Sequence, residues 1–194
     1  HPRDRRQRQM CIRDSVNTDG INKNVIQYGI YRSKLDKSSS KKSFFKLFPN
    51  LKNKKFLLYL GRFHKKKGCD TLIHSLKKII NQNFKSYILM VGPNNGYQKK
   101  LQRLCKDLNV EDYFYWSDTL VGKEKFGAIH ASIGMVLASN GENFGISIVE
   151  SLSCSKPVII TNKVNIYRSI IDYKAGYVSK NNSSDFSKIL KQYL

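Results

Sequence analysis

The sequence predicts an α/β domain built on a doubly wound parallel sheet, and three observations carry that expectation. From Lys55 onward, short apolar runs alternate with amphipathic segments. The runs are hydrophobic throughout rather than alternating with polar residues, and Gly or Pro punctuates their ends. Strands that are apolar on both faces belong inside a sheet covered by helices on both sides, which is the parallel arrangement.

In chain order, Val25–Ile30 (V-I-Q-Y-G-I) has the pattern of a strand and turn. Ser33–Lys55, rich in Lys and Ser, predicts a mobile, exposed loop with a short helix near Phe44–Phe48. Phe56–Leu60 (F-L-L-Y-L) predicts a buried strand that ends at Gly61. A helix from Asp70 to about Asn81 puts Leu72, Ile73, Leu76, Ile79 and Ile80 on one face. Tyr87–Val91 is the next strand, closed by Gly92-Pro93, and Tyr97–Leu108 is a helix through Leu101, Leu104 and Leu108. Tyr113–Trp116 is read as a strand, Lys123–Ser132 as a helix, Ile133–Ala138 as a strand and Gly145–Cys154 as a helix. Val158–Thr161 is a short strand after Pro157. Asn165–Ile171 is read as a short helix, Gly176–Val178 as an extended piece and Ser184–Tyr193 as the last helix. No internal repeat is evident. Together these units describe a Rossmann-like sheet, in which ligands bind outside the carboxyl ends of the strands.

Residues 5–14 read R-R-Q-R-Q-M-C-I-R-D, which is residue for residue one reading frame of a widely used transposase sequencing adapter, and Ser15 fits its last partial codon. Residues 1–15 are therefore expected to be non-native and to contribute nothing to the fold or the site. Residues 16–54 are expected to form an interdomain strand, linker and basic surface loop, and residues 55–194 the Rossmann-like domain.

The whole chain of 194 residues carries a formal net charge of +21. The first fifteen hold five Arg against two Asp, so the remaining 179 carry +18, almost all of it Lys. That length suffices for one domain with a substantial core. Abundant Lys, Asn and Ile together mark an AT-rich coding sequence, which makes a protein basic without selection for nucleic acid. Attraction to anionic lipid and to nucleic acid are the alternative readings of the charge. Cys69, Cys105 and Cys154 are widely spaced in apolar contexts and read as buried free thiols of a reducing cytoplasm. His64, His74 and His130 form no metal-ligand spacing. No apolar run is long enough to span a bilayer, and no secretory signal core is visible.

The segment Ser139–Pro157, S-N-G-E-N-F-G-I-S-I-V-E-S-L-S-C-S-K-P, carries the most specific chemistry. It places Glu142 and Glu150 on either side of Phe144-Gly145, where a loop becomes a helix. A helix N-terminus presents unpaired N–H groups and a positive dipole end, so it favours phosphate. Gly145 lets a ligand approach the backbone. Glu150 lies about 7 Å along the axis, and helical side chains lean toward the N-terminus, so its carboxylate reaches back to the same mouth. Two carboxylates for hydroxyls beside a phosphate-binding helix end suit a nucleotide-sugar.

A second candidate is Gly61-Arg62-Phe63-His64-Lys65-Lys66-Lys67-Gly68, between a strand end and a helix. Arg62 offers a planar fork for phosphate oxygens and Lys67 a compact point charge, although a Lys-rich loop also reads as plain surface. His64 reads as surface rather than as a general base. The turn Val91–Gly96, with Gly92, either lines a phosphate or simply reverses the chain. Trp116 reads equally as a core aromatic or as a ring flanking a base.

Gly61-Arg62…Lys67-Gly68 resembles the G-R-x4-K-G loop of retaining nucleotide-sugar glycosyltransferases of family 4 (group 1), and Glu142…Glu150 resembles that family's E-x7-E motif. Asn140–Ile146 and Lys163-Val-Asn-Ile-Tyr-Arg look like one bacterial subgroup, and the likeness runs from about Val25 to the C-terminus. The resemblance implies the C-terminal, donor-binding half of a two-domain GT-B enzyme acting in cell-surface polysaccharide or glycolipid synthesis. It implies that Arg62 and Lys67 neutralise the departing diphosphate and that Glu150 holds the ribose hydroxyls. Glu142, with the Phe144-Gly145 backbone, would face the transferred sugar, and Asn143, Ile146, Gly61 and Gly92 would also bind the donor. The donor is expected to be a UDP- or GDP-hexose, with no metal or other cofactor and with transfer proceeding with retention.

The expected partners are that donor, a missing N-terminal acceptor domain and a peripheral contact with anionic membrane at its cytoplasmic face, but no nucleic acid. The fragment alone is expected to be inactive. Its C-terminus is expected to be truncated too, because the helix that crosses back to the other domain is not recognisable. Asn143 replaces the family's commoner Gly, and Ala138 stands where Pro is frequent. Ser155 occupies a usual Gly position just past a helix, at a cost of ~1 kcal/mol if the backbone there is left-handed. The competing readings are a basic nucleic-acid-binding module, which calls for exposed aromatics among the cations, and a sugar-nucleotide-binding domain without turnover.

Overall fold

The computed structural model describes residue 30 and residues 33–82, 86–94 and 96–194. The adapter-like residues 1–15 and the strand expected at 25–29 lie outside the described residues, as does Asn95 in the Val91–Gly96 turn.

Six strands form one sheet: β1 (Phe56–Leu60), β2 (Tyr87–Val91), β3 (Phe114–Ser117), β4 (Gly134–Leu137), β5 (Val158–Thr161) and β6 (Gly176–Ser179). Their order is β3-β2-β1-β4-β5-β6 and every pairing is parallel. The helices are α1 (Lys37–Leu47), α2 (Cys69–Ile80), α3 (Tyr97–Asp107), α4 (Gly122–Ala131), α5 (Ile146–Ser153), α6 (Tyr167–Asp172) and α7 (Ser183–Tyr193). This is the doubly wound Rossmann order: the chain moves outward from β1 to β3, returns beside β1 as β4, and moves outward again to β6. Right-handed crossovers put α2 and α3 on one face and α4 to α6 on the other. Finally α7 comes back to pack on α2.

The apolar runs give the expected result, since every residue of β1, β4 and β5 is buried. Tyr59 is fully buried, and its hydroxyl donates to Arg62 O at 2.8 Å, which ties the loop after β1 to the strand below it. Helix and strand limits fall within two residues of those read from the periodicity, the usual uncertainty of element ends.

Residues 33–55 depart from expectation, for about half of the anticipated exposed loop is the eleven-residue helix α1, which begins well before the short helix expected near Phe44–Phe48. Asp36 caps it, its carboxylate accepting from Ser39 N at 2.6 Å. Phe44 is fully buried, with ring centroids 5.1 Å from Phe48 and 5.8 Å from Phe56. The helix packs on α4, and the approach is so close that a Cβ on Gly127 would lie 2.1 Å from Ser40 O. Only Ser40 and Phe44 of α1 are buried, so its periodicity is weak and tertiary packing stabilises it.

Ser155 has φ 56°, the left-handed conformation anticipated for that position. Cys69 and Cys105 are buried free thiols as expected, and burial pushes the Cys105 thiol up to about 12. Cys154 is instead only half-buried, because it closes α5 beside an open surface pocket. Among the described residues no helix is long and apolar enough to cross a membrane.

Candidate functional site

Strand order reverses between β1 and β4, and the loops leaving these two strands line the crevice at this switch point. The loop after β1 runs through Arg62 to a short turn at Lys65–Lys67, which His64 caps by accepting from Lys66 N through Nδ1 at 3.1 Å. Gly68 follows at φ 66°, beneath the loop after β4, with no room for a Cβ against Ala138 O. Three hydrogen bonds clamp the two loops together. Asn140 N and Ser139 Oγ donate to Lys66 O at 2.8 and 3.0 Å, and Asn140 Nδ2 donates to Lys65 O at 3.0 Å.

Glu142 is fixed through its backbone. Its N–H donates to Lys163 O at 3.0 Å and its carbonyl accepts from Asn165 N at 2.9 Å, forming a parallel bridge with Val164. The K-V-N segment noted in the sequence therefore anchors this carboxylate's backbone. Beyond it, Gly145 (φ 74°) begins α5 with no side chain capping the helix, so the first-turn N–H groups have no side-chain acceptor. Ser147 Oγ donates to Leu60 O at 3.1 Å and fixes the start of α5 against β1.

These loops enclose a cavity of about 760 Å³, within the ordinary range for small-molecule sites. All ten residues singled out in the sequence line it: Gly61, Arg62, Lys67, Gly92, Glu142, Asn143, Phe144, Gly145, Ile146 and Glu150. The sequence reading missed Thr119, Leu120, Lys125 and Ser147, which line it as well. Thr119 and Leu120 follow the carboxyl end of β3, so the sheet-edge rule could have found them; nothing local marks Lys125 among so many lysines. His64 is exposed and does not line the cavity. Trp116 is also outside the lining, its ring edge-on to Phe63 at 5.6 Å. Gly92 has a packing reason too, since a Cβ there would lie 2.0 Å from Gly61 O.

Three cations and two carboxylates line the wall. Lys67 Nζ pairs with Glu142 Oε2, and Lys125 Nζ pairs with Glu150 Oε1 at 2.6 Å. All four side chains are mostly buried, between 17% and 26% exposed. Arg62 is exposed, and its guanidinium has no hydrogen bond or ion pair among the described residues. The wall therefore offers two preformed ion pairs, one uncommitted planar cation and an uncapped helix N-terminus, a combination that suits a ligand carrying both phosphate and hydroxyl groups. No group of three or more His, Cys, Asp or Glu side chains placed to hold a metal ion occurs among the described residues.

The family described as glycosyl transferases group 1 matches residues 40–194. An uncharacterised glycosyltransferase of Methanocaldococcus jannaschii is 32% identical over 142 residues, covering 70% of this chain and 37% of that protein. The C-terminal domain of a group 1 family glycosyl transferase from Francisella tularensis superposes with a TM-score of 0.66 at 18% identity, covering 84% of this chain and 83% of that one. An Anabaena protein, HepE, solved in complex with UDP and glucose, superposes with a TM-score of 0.68 at 19% identity, covering 79% of this chain and 42% of that one. The chain thus spans under two-fifths of the length of the archaeal relative. With most of its length matched by one family and its sheet shared with a C-terminal domain from that family, the chain belongs to the group 1 glycosyltransferases and has the Rossmann-like fold of that domain.

Proposed function

We propose that the cavity binds a nucleoside diphosphate sugar and that this domain is the donor-binding half of a retaining glycosyltransferase. One observation carries the reading: Arg62, Lys67, Glu142, the Gly145–Ile146 backbone and Glu150, from two distant stretches of sequence, line a single cavity at the switch point of the sheet. Arg62 and Lys67, with the first turn of α5, take the diphosphate and stabilise the charge that grows on it as the glycosidic bond breaks. Glu150 accepts from the ribose hydroxyls. Glu142, held by the 163–165 segment, faces the transferred sugar with Phe144 and Gly145. The Anabaena protein solved with UDP and glucose supports a nucleotide-sugar ligand.

In this reading fixed side-chain cations neutralise the leaving group, so binding is independent of a divalent metal and excess EDTA leaves it unchanged. Transfer itself requires an acceptor-binding domain as the other wall of the catalytic cleft. The acceptor class we assign is a cell-surface polysaccharide or glycolipid precursor. The lysine-rich surface supports peripheral contact with anionic lipid at the cytoplasmic face of the membrane. A nucleic-acid module is less well supported, because the large rings Phe44, Phe56, Tyr59 and Phe63 are fully buried, and Tyr173, largely exposed, offers a single ring rather than a stacking platform.

Calorimetry with UDP and with GDP tests the proposal. Arg62→Ala and Glu150→Ala remove charge-assisted hydrogen bonds and should each weaken binding by about tenfold or more. Unchanged affinity in both variants would sink the assignment. Sugar transfer by this chain alone would overturn the need for a second domain.

A further inference from the structure

Lys125 is the cavity-lining cation to which none of these roles has been given. It is the fourth residue of α4, where an ammonium faces the positive end of the helix dipole. Its position is instead stabilised by Glu150 of α5, whose Oε1 lies 2.6 Å from Nζ, and by the ring of the adjacent Phe126, whose centroid is 4.9 Å away. An exposed pair of this kind would contribute little. This one is recessed in the cavity wall, with Lys125 and Glu150 26% and 18% exposed. A glutamate side chain left alone on α5 would sample several rotamers, only some of which aim both oxygens at a ligand. The ammonium holds one lone pair of Oε1, which leaves Oε2 and the remaining lone pair of Oε1 open to donors.

Resting on the nucleoside diphosphate reading, we propose that Lys125 is a positioning residue that clamps Glu150 in the rotamer accepting both ribose hydroxyls. It thereby sets selectivity for ribose over deoxyribose, without touching the diphosphate. Preorganising an acceptor removes ordering cost from binding, so loss of the clamp appears in the hydroxyl-dependent part of the affinity and nowhere else.

The test compares dissociation constants for UDP, 2′,3′-dideoxy-UDP and uridine in the wild type, Lys125→Met and Lys125→Arg, with thermal unfolding to confirm folding. In the wild type the dideoxy compound should bind about tenfold or more weakly than UDP. In Lys125→Met that ratio should fall toward one while the ratio of uridine to UDP, which reports the diphosphate contacts, stays at its wild-type value. Lys125→Arg should restore the hydroxyl ratio. A hydroxyl ratio that survives in Lys125→Met overturns the inference, as does a loss confined to the uridine-to-UDP ratio, which would make Lys125 a phosphate ligand. A wild-type chain that binds neither UDP nor GDP fails differently, by removing the nucleotide reading and this inference with it.

Discussion

Replacing Gly68 by Ala tests how the site is built into the fold. Gly68 has φ 66° and ψ 29°, and a Cβ built on it would stand 1.7 Å from Ala138 O and 2.5 Å from Ala138 C. Both of those atoms are backbone at the end of β4, so no rotamer change relieves the clash. The left-handed conformation costs a non-glycine residue about 1–2 kcal/mol, and forcing atoms into a packed contact about 1–3 kcal/mol more. Reduced freedom of the unfolded chain returns about 0.4–1 kcal/mol. The expected net loss is therefore about 1–4.6 kcal/mol, or a Tm lower by about 2–18 °C in a domain of this size. Gly96→Ala is the control: φ is 80°, but nothing lies within 4 Å of the added Cβ, so only the conformational cost applies. Differential scanning calorimetry of both variants separates clash from conformation. Equal Tm values for the two would refute the reasoning, because they would mean that the loops after β1 and β4 are not pressed together as described. Surviving Gly68→Ala protein should also bind UDP more weakly, since the three hydrogen bonds to Lys65 O and Lys66 O, which hold the turn that carries Lys67, cross the same contact.

Two further outcomes concern the backbone and the far end of the domain. Ser155 is exposed at φ 56°, so Ser155→Gly should raise stability by roughly 0.5–1 kcal/mol, about 2–4 °C in Tm, after the added freedom of the unfolded chain is subtracted; a lower Tm would contradict this. His130 is held below the usual histidine range by burial and then by Lys37, Lys156 and Lys41, which face it from α1 and the turn before β5. The folded protein then binds this proton less readily than the unfolded chain, so stability present above about pH 6.5 declines as the pH falls through that range. His130→Gln should flatten the fall in urea midpoint between about pH 7.5 and pH 5, and an unaltered pH profile would count against the arrangement of cations around it.

What was legible in the sequence is what local pattern determines. β1 reads F-L-L-Y-L because it is buried on both faces, and the glycines after β1 and β4 mark backbone that must turn sharply where loops meet. Because all strands are parallel, their carboxyl ends share one edge, and motifs that come after strands must gather there. That is why the Arg62–Lys67 loop and the Glu142–Glu150 segment could be assigned to one site from the sequence alone. Only the C-terminal turn of helix α1, near Phe44–Phe48, was legible, because what stabilises the rest is Phe44 among Phe48 and Phe56 and a contact with Gly127 far along the chain. The Lys125–Glu150 pair was hidden for a similar reason. It joins α4 to α5 across an intervening strand, and no periodicity within either helix requires it.

The basic character of the chain and the selectivity of its cavity have different physical origins. The excess of +18 over residues 16–194 is spread across the molecule. The cavity wall, by contrast, sets three cations against two carboxylates, and both carboxylates are already paired. A distributed field draws in any anion, decays over about 8–10 Å in ordinary salt, and cannot distinguish a nucleoside diphosphate from a nucleic acid. Discrimination needs fixed groups at contact distance. The wall supplies them as an uncommitted guanidinium at Arg62, an uncapped helix end at Gly145, and carboxylates whose positions other residues already hold. A polyanion with no hydroxyl-bearing sugar to offer Glu150 would meet two negative charges in that wall with nothing to donate to them. On the nucleotide-sugar reading proposed above, the net charge speeds arrival at the surface, while the paired carboxylates decide what is admitted.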